Sequence, residues 1–206
     1  MAEHHPSDVL LLDHASGGLP TAAGLPILAH LDNCAACHAA AELWGLVGRA
    51  LIPQSPQGPP AENAARLLRQ LDCAAVKASS ARLGPAWAER VGDFKIGRRR
   101  WIAPGIWTAH IHAPIQAGWR VFVLGVTAGG VVPAHGHDGA EYVHVYQGAF
   151  ASKGRTYRAG DFLALDVEDV HALQVSQDGP CICLIASEAP LKWKGWLRFF
   201  QLWIGI

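Results

Sequence analysis

Histidine and cysteine residues near the N-terminus have the spacing of metal ligands. Residues 30–37 read His-Leu-Asp-Asn-Cys-Ala-Ala-Cys, an HxxxCxxC motif. The thiols of Cys34 and Cys37 can bind one ion from the start of a helix, and His30 precedes Cys34 by about one helical turn. Thiolate and imidazole ligands suit tetrahedral zinc, so the motif predicts a zinc site that needs a fourth ligand. The candidates for that ligand are His4, His5, His14 and His38.

The CxxC pair has two other interpretations. The thiols could be ordinary small buried side chains, or a redox pair of the thioredoxin kind. The pattern favours neither, because no βαβ setting surrounds the pair and because His30 supplies a third ligand. At the start of a helix, the free backbone amides and the helix dipole are expected to lower the pKa of both thiols.

A second group of ligand-type residues lies in the C-terminal half. His135 and His137 are two residues apart, so on a β-strand both face the same side. Glu141 and His171 follow them in the chain. Burying these four side chains inside an apolar barrel would cost free energy without an ion to bind them. The alternative is an inert barrel in which the four side chains are polar groups with satisfied hydrogen bonds. Three imidazoles and one carboxylate suit zinc, iron, manganese or nickel about equally.

Helical periodicity covers the N-terminal third of the chain and would position the first group. Apolar residues recur at three-to-four spacing in residues 10–12, 25–31 and 43–51, with breakers after the first two segments. A Pro- and Gly-rich segment, 52–60, predicts a loop, and a further helix is expected over 61–71. We expect a domain boundary within residues 80–95.

The rest of the chain has the pattern of a β-barrel or sandwich, which would position the second group. Short β-rich runs alternate with Gly- or Pro-containing turns. The predicted strands are 101–103, 106–112, 119–127, 141–147, 162–165, 172–175 and 181–185. The aromatic stretch 193–206 is expected to pack on the barrel as a short helix or last strand, rather than to anchor the chain to a membrane or partner.

Composition excludes some classes of function. Lys+Arg and Asp+Glu number 17 each and the pI is about 7.2, which argues against direct nucleic-acid binding. The N-terminus lacks the features of a signal peptide and no apolar stretch is long enough to span a bilayer, so we expect a cytoplasmic protein. Its five cysteines are then thiols or ligands rather than disulfides. For Cys181 and Cys183, core packing is favoured over an oxidation sensor.

The motifs resemble those of a known family. HxxxCxxC with an upstream histidine is similar to the zinc-binding anti-sigma domain, and the opening segment 4–8, His-His-Pro-Ser-Asp, resembles ChrR-type members, in which the second histidine of the pair completes the site. That resemblance selects His5. The pattern Gly129-(x5)-His-x-His-(x3)-Glu-(x6)-Gly148 fits the first cupin motif, and His171 stands where the second cupin motif has its histidine. The usual Pro-x-Gly before it is replaced by residues 166–168, Asp-Val-Glu.

The resemblance implies a fold and a function. The fold class is a two-domain α + β protein: a small zinc-binding helical bundle, residues 1–85, then an all-β cupin barrel (double-stranded β-helix), residues 86–206. The ligands would be His5, His30, Cys34 and Cys37 for the first zinc, and His135, His137, Glu141 and His171 for a second metal, with zinc preferred. The helical domain would sequester an extracytoplasmic-function sigma factor, and the barrel would sense singlet oxygen or related species and cause release.

Two other functions are compatible with the barrel motif. One is a metal-dependent cupin enzyme, such as a small dioxygenase or isomerase, in which the ion would keep open positions for substrate. The other is a storage or binding module without a regulatory partner. The HxxxCxxC motif favours the anti-sigma function over both, because neither needs a second metal site, and we expect no catalytic residues.

Overall fold

The N-terminal region folds into helices in a computed structural model that describes residues 2–51, 95–112, 118–190 and 192–193. The helices are α1 (Asp8–Ser16), α2 (Thr21–Leu31) and α3 (Ala35–Leu51). The side chain of Ser7 caps the start of α1 by accepting a hydrogen bond from the backbone N–H of Leu10. Gly17 ends α1 in the left-handed conformation, with φ of 74°.

Helix α2 is the central element of the N-terminal region. Nine of its 11 residues are buried, which fits a sequence, Thr-Ala-Ala-Gly-Leu-Pro-Ile-Leu-Ala-His-Leu, that is apolar around most of the helix. One side meets α1 and α3, where Ile27 and Leu31 pack with Leu10 and Leu11. The other side lies on the large β-sheet. The helical region and the barrel therefore share a packed interface.

The described part of the remaining chain forms 12 strands in two antiparallel sheets. The strands are β1 (Lys95–Ile96), β2 (Arg100–Ala103), β3 (Ile106–His112), β4 (Arg120–Val126), β5 (Val131–Gly136), β6 (Glu141–Gln147), β7 (Ala149–Ser152), β8 (Arg155–Arg158), β9 (Phe162–Leu165), β10 (His171–Val175), β11 (Cys181–Ser187) and β12 (Lys192–Trp193). The larger sheet has the order β1-β3-β4-β11-β6-β9, with β2 beside β3, and the smaller has the order β12-β5-β10-β7-β8.

The larger sheet is buried on both faces over its central strands. On β4, Phe122 and Leu124 point into the barrel core, whereas Val121 and Val123 point outward against α2. The same alternation on β6 puts Val143 and Val145 inside. A sheet covered by a helix on one side and a second sheet on the other explains why these strands read as almost continuous apolar runs.

The fold class agrees with the sequence prediction: helices first, then an all-β two-sheet barrel. The predicted strands 106–112, 141–147 and 162–165 have the observed bounds. The loop at 52–60, the helix at 61–71, the boundary within 80–95 and, except for Trp193 in β12, the terminal stretch 193–206 lie outside the described residues. Within the described ranges, no helix has the length and apolar character needed to cross a membrane.

Candidate metal centres

The first group of ligand-type residues comes together where the three helices meet. His5 precedes α1, His30 is in the last turn of α2, Cys34 lies between α2 and α3, and Cys37 is in the first turn of α3. The Nδ1 atom of His5 is 3.3 Å from Nε2 of His30, 3.5 Å from Sγ of Cys34 and 3.4 Å from Sγ of Cys37. One ligand atom from each of the four residues lies within 4.8 Å of the others.

This helical metal group, His5, His30, Cys34 and Cys37, fits a tetrahedral zinc ion. Zinc–nitrogen and zinc–sulfur bond lengths place tetrahedral ligand atoms roughly 3.3–3.8 Å apart, close to the separations from His5. Burial and the neighbouring Cys34 raise the pKa of Cys37 to about 12, so the helix start does not give this thiol the lowered pKa that the sequence suggested. A divalent cation among the thiols would reverse that preference and hold them as thiolates.

The other three candidates for the fourth ligand point elsewhere. His4 lies edge-on to Tyr157, with ring centroids 4.5 Å apart, and its Nδ1 is 3.9 Å from a carboxylate oxygen of Asp161. His14 is half-buried, and His38 faces Glu42 on the exposed side of α3. Among the four histidines, the structure therefore brings only His5 to the thiols.

The second group lies inside the barrel, where two sheets meet. His135 is on β5 and His137 directly follows it, Glu141 begins β6 and His171 begins β10. All four side chains are buried, and one ligand atom from each lies within 4.8 Å of the others. His171 is directly opposite His135 in the β5–β10 register. We call these four residues the barrel metal group.

Hydrogen bonds orient two of the barrel imidazoles. His135 donates from Nδ1 to the carbonyl of Pro133 at 2.8 Å, and Nδ1 of His171 is 3.3 Å from the hydroxyl of Ser152. Each bond leaves the Nε2 atom for the centre of the group, where Nε2 of His171 is 3.2 Å from Nε2 of His137. Contacts of this kind fix the orientation of metal-binding histidines.

The electrostatics of the barrel metal group favour a cation. Burial raises the pKa of Glu141 to about 8 and lowers the pKa of His137 to about 4 and of His171 to about 3. Among the described residues, Oε2 of Glu141 and Nδ1 of His137 have no hydrogen-bond partner although both are buried. A divalent ion would bind the Glu141 carboxylate and one nitrogen of His137 and would stabilise the ionised carboxylate, so the residues fit the metal that the motif predicts.

Both regions of the chain match known proteins. Residues 94–190 match the family described as the ChrR cupin-like domain. The anti-sigma-E factor ChrR of Cereibacter sphaeroides is 32% identical over 200 residues, which cover 94% of this chain and 93% of that protein. This chain belongs to the ChrR family. The crystal structure of Rhodobacter sphaeroides SigE in complex with the anti-sigma ChrR has a chain that is 31% identical, with a TM-score of 0.73, covering 91% of this chain and 99% of that one.

The cysteine pair of this ChrR-family protein is part of neither metal group. Cys181 and Cys183 point into the core from β11, with their sulfur atoms 3.7 Å apart, and they line a small apolar cavity of about 10 Å³ with Leu124 and Phe150. The hydrogen bond with Cys181, together with burial, raises the pKa of Cys183 well above its usual value. Both side chains pack in the core, as the favoured interpretation of the sequence expected.

Sequence reasoning missed several residues around the metal groups of this ChrR-family protein. Ser152 contacts His171, the carbonyl of Gly160 contacts His30, and His144 lies behind His30 with ring centroids 6.1 Å apart. No local pattern identifies them, because each contact joins residues that are distant in the chain. The period-two alternation of β6 does place His144 on the face opposite Glu141, and that was the one available signal.

Proposed function

We propose that this chain is a cytoplasmic anti-sigma factor that sequesters an extracytoplasmic-function sigma factor through its helical N-terminal region. The support is the relationship to ChrR, an anti-sigma factor, over 94% of the chain, and the likeness to the ChrR chain of the SigE complex. Both the helical region and the barrel are part of that alignment. We further propose the division into a helical domain, residues 1–85, and a barrel domain, residues 86–206.

An exposed apolar surface on α3 is the observation that carries this proposal. Leu43 is 59% exposed, Leu46 is 56% exposed and Leu51 is 77% exposed, and all three are on one helix. Large apolar side chains grouped on one element and open to water are typical of a protein-binding surface. We call Leu43, Leu46, Val47 and Leu51 the α3 surface, and we propose that it contacts the sigma factor.

Zinc in the helical metal group would hold the α3 surface in place. Cys34 and Cys37 fix the start of α3, and His30 fixes the end of α2, so one ion would set the angle between the two helices. So small a helical region buries little apolar area of its own, and metal binding then supplies part of its folding free energy.

The barrel is proposed to be the sensory part. Its four buried ligands would hold zinc, or alternatively iron, manganese or nickel. Singlet oxygen or a related reactive species would oxidise a residue of this group or a nearby thiol, or cause loss of the metal. The sigma factor would then be released. A metal-dependent enzyme is not favoured, because the relative that aligns along nearly the whole chain is an anti-sigma factor.

Co-purification tests the proposal. The full chain with an affinity tag is produced together with an extracytoplasmic-function sigma factor of the same organism, and the isolated complex is analysed for metal. We expect an equimolar complex that contains zinc, and a Cys34→Ser/Cys37→Ser variant that retains far less sigma factor. Metal-loaded, folded protein that retains no sigma factor would sink the proposal.

A further inference from the structure

The turn between β8 and β9 holds the N-terminal arm of the chain. Asp161 in this turn is 1% exposed, although it is a carboxylate. Its Oδ1 atom accepts hydrogen bonds from the backbone N–H of Glu3 at 2.7 Å and of His4 at 3.2 Å, and its Oδ2 atom accepts from the N–H of Arg158 at 2.8 Å. A barrel side chain therefore binds the two residues directly before the ligand His5.

Backbone atoms of the same turn complete the contact. Phe162 donates its N–H to the carbonyl of His4 at 3.0 Å, so the arm runs beside the start of β9 like a short added strand. The carbonyl of Gly160 accepts from Nδ1 of His30 at 2.8 Å, which leaves Nε2 of His30 for the metal. Residues 160–162 of the barrel thus orient the imidazole of His30 and hold the backbone of the two residues directly before His5.

The turn itself is rigid. Gly160 has φ of 98°, a conformation in which a side chain would be strained, so glycine is needed to aim this carbonyl at His30. The N–H of Gly160 donates to the carbonyl of Val145, and Val145 donates back to the carbonyl of Asp161, so the turn is fastened to β6. A rigid turn can hold an arm in place, and without it the exposed ligand His5 would lie on a chain end with few contacts.

We propose that Asp161 is a positioning residue for the helical metal group. All four ligands of that group come from the N-terminal region, and the barrel holds them in place through Asp161. The carboxylate fixes the arm that carries His5, and the neighbouring Gly160 carbonyl fixes His30. The helical group then binds metal at full strength only while the turn 158–162 is docked on it. This inference rests on the proposed metal site and adds to it a dependence on the barrel.

Cobalt titration of the full chain tests this role, because cobalt bound by thiolates absorbs in the near ultraviolet and, of the two metal groups in the described residues, the helical one alone has thiol ligands. Glu3→Pro removes the backbone N–H that donates to Asp161, whereas Glu3→Ala keeps it and removes only an exposed side chain that faces Arg158. We expect Glu3→Pro and Asp161→Ala, which removes the acceptor oxygens, to lower the cobalt affinity read from the thiolate–cobalt band by about 10- to 100-fold, the range found for partners of metal ligands.

Matched controls separate the outcomes. Glu3→Ala and Asp178→Ala, which removes a turn carboxylate that contacts Ser176, are expected to bind cobalt like the wild type. Thermal unfolding reports whether the barrel is intact, and Glu3→Pro tests the contact without altering any barrel residue. If Glu3→Pro and Asp161→Ala bind as tightly as these controls, the positioning role is overturned. If the wild type shows no thiolate–cobalt band, the metal site itself is wrong, which is a distinguishable failure.

Discussion

Glu141 and His144 lie three residues apart on β6 and point to opposite faces of the sheet. Glu141 is part of the barrel metal group, and the ring of His144 meets the ring of His30 from the helical metal group at a centroid distance of 6.1 Å. A single strand therefore borders both groups. Along β6, a ligand of the barrel group lies three residues from a side chain that contacts a ligand of the helical group.

The buried His144 is expected to make stability depend on pH. Burial and His30 lower its pKa to about 4, so the folded protein holds it neutral where the unfolded chain, with a pKa near 6.5, binds a proton. Stability from this source is complete above about pH 6.5 and is lost as the pH falls towards 4. Replacing His144 with Gln should lower the slope of unfolding free energy against pH by about 1 kcal/mol per pH unit in this range.

Urea unfolding of metal-free wild type and His144→Gln between pH 6.5 and 4.5 measures the effect. The difference in unfolding free energy between the two proteins should change steadily over that range. Parallel curves would mean that His144 is protonated in the folded protein or is not buried.

His5 and His4 are expected to differ sharply as metal ligands. His5 lies next to both thiols, whereas the ring of His4 packs on Tyr157. His5→Ala should therefore reduce zinc affinity at the helical group by about 100-fold or more, because it removes one ligand of four. His4→Ala keeps the backbone bonds to Asp161 and should change the affinity by only a few-fold. Competition with a chromophoric chelator distinguishes them, and an equal loss in both would refute the assignment of His5.

The α3 surface should govern binding of the sigma factor. Leu46→Asp puts a charge on an apolar contact surface and is expected to weaken the complex by about 100-fold, roughly 3 kcal/mol. Val167, which is 60% exposed on the barrel, offers a matched control in Val167→Asp. Titration calorimetry with the sigma factor measures both. Unchanged binding by Leu46→Asp would exclude this surface as the contact.

Ser152 is expected to support the barrel metal. Its hydroxyl is 3.3 Å from Nδ1 of His171, so Ser152→Ala leaves that nitrogen without its partner and the ring less well oriented. Affinity of the barrel group for zinc should fall by about tenfold, with the helical group unaffected. Ser176→Ala, which removes a surface hydroxyl bonded to Asp178, is the control. Equal zinc affinity in both variants would show that Ser152 has no such role.

Local spacing grouped some of the ligands, the family resemblance added His5 and His171, and the long-range contacts were not predictable from the sequence. His135 and His137 lie two residues apart at the end of β5, and Cys34 and Cys37 lie at the start of α3, so short motifs were sufficient to group each pair. The bond between His30 and Gly160 joins residues 130 positions apart, and nothing near either residue in the sequence indicates it. The same holds for Asp161, whose partners are at the other end of the chain.

The packing of the helices on the barrel could not be predicted from the sequence either. Residues 25–31 were predicted to show one apolar face, but α2 is buried on two sides because the large sheet covers the side away from α1. The strands β7 and β8 were missed, and β5 was expected only from the spacing of His135 and His137, since these strands contain proline, small or charged residues that carry a weak strand signal. Their positions follow from pairing with β10 and with each other rather than from their own sequence.

The dependence of sigma-factor affinity on zinc at the helical group tests the central claim most directly. The full chain with both metals bound is titrated with the sigma factor, and the Cys37→Ser variant, checked for an intact barrel by thermal unfolding, is titrated in parallel. The account predicts tight equimolar binding by the wild type and a loss of at least about 100-fold in the variant. Equal affinity in the two proteins would contradict it, because the α3 surface would then not need the metal.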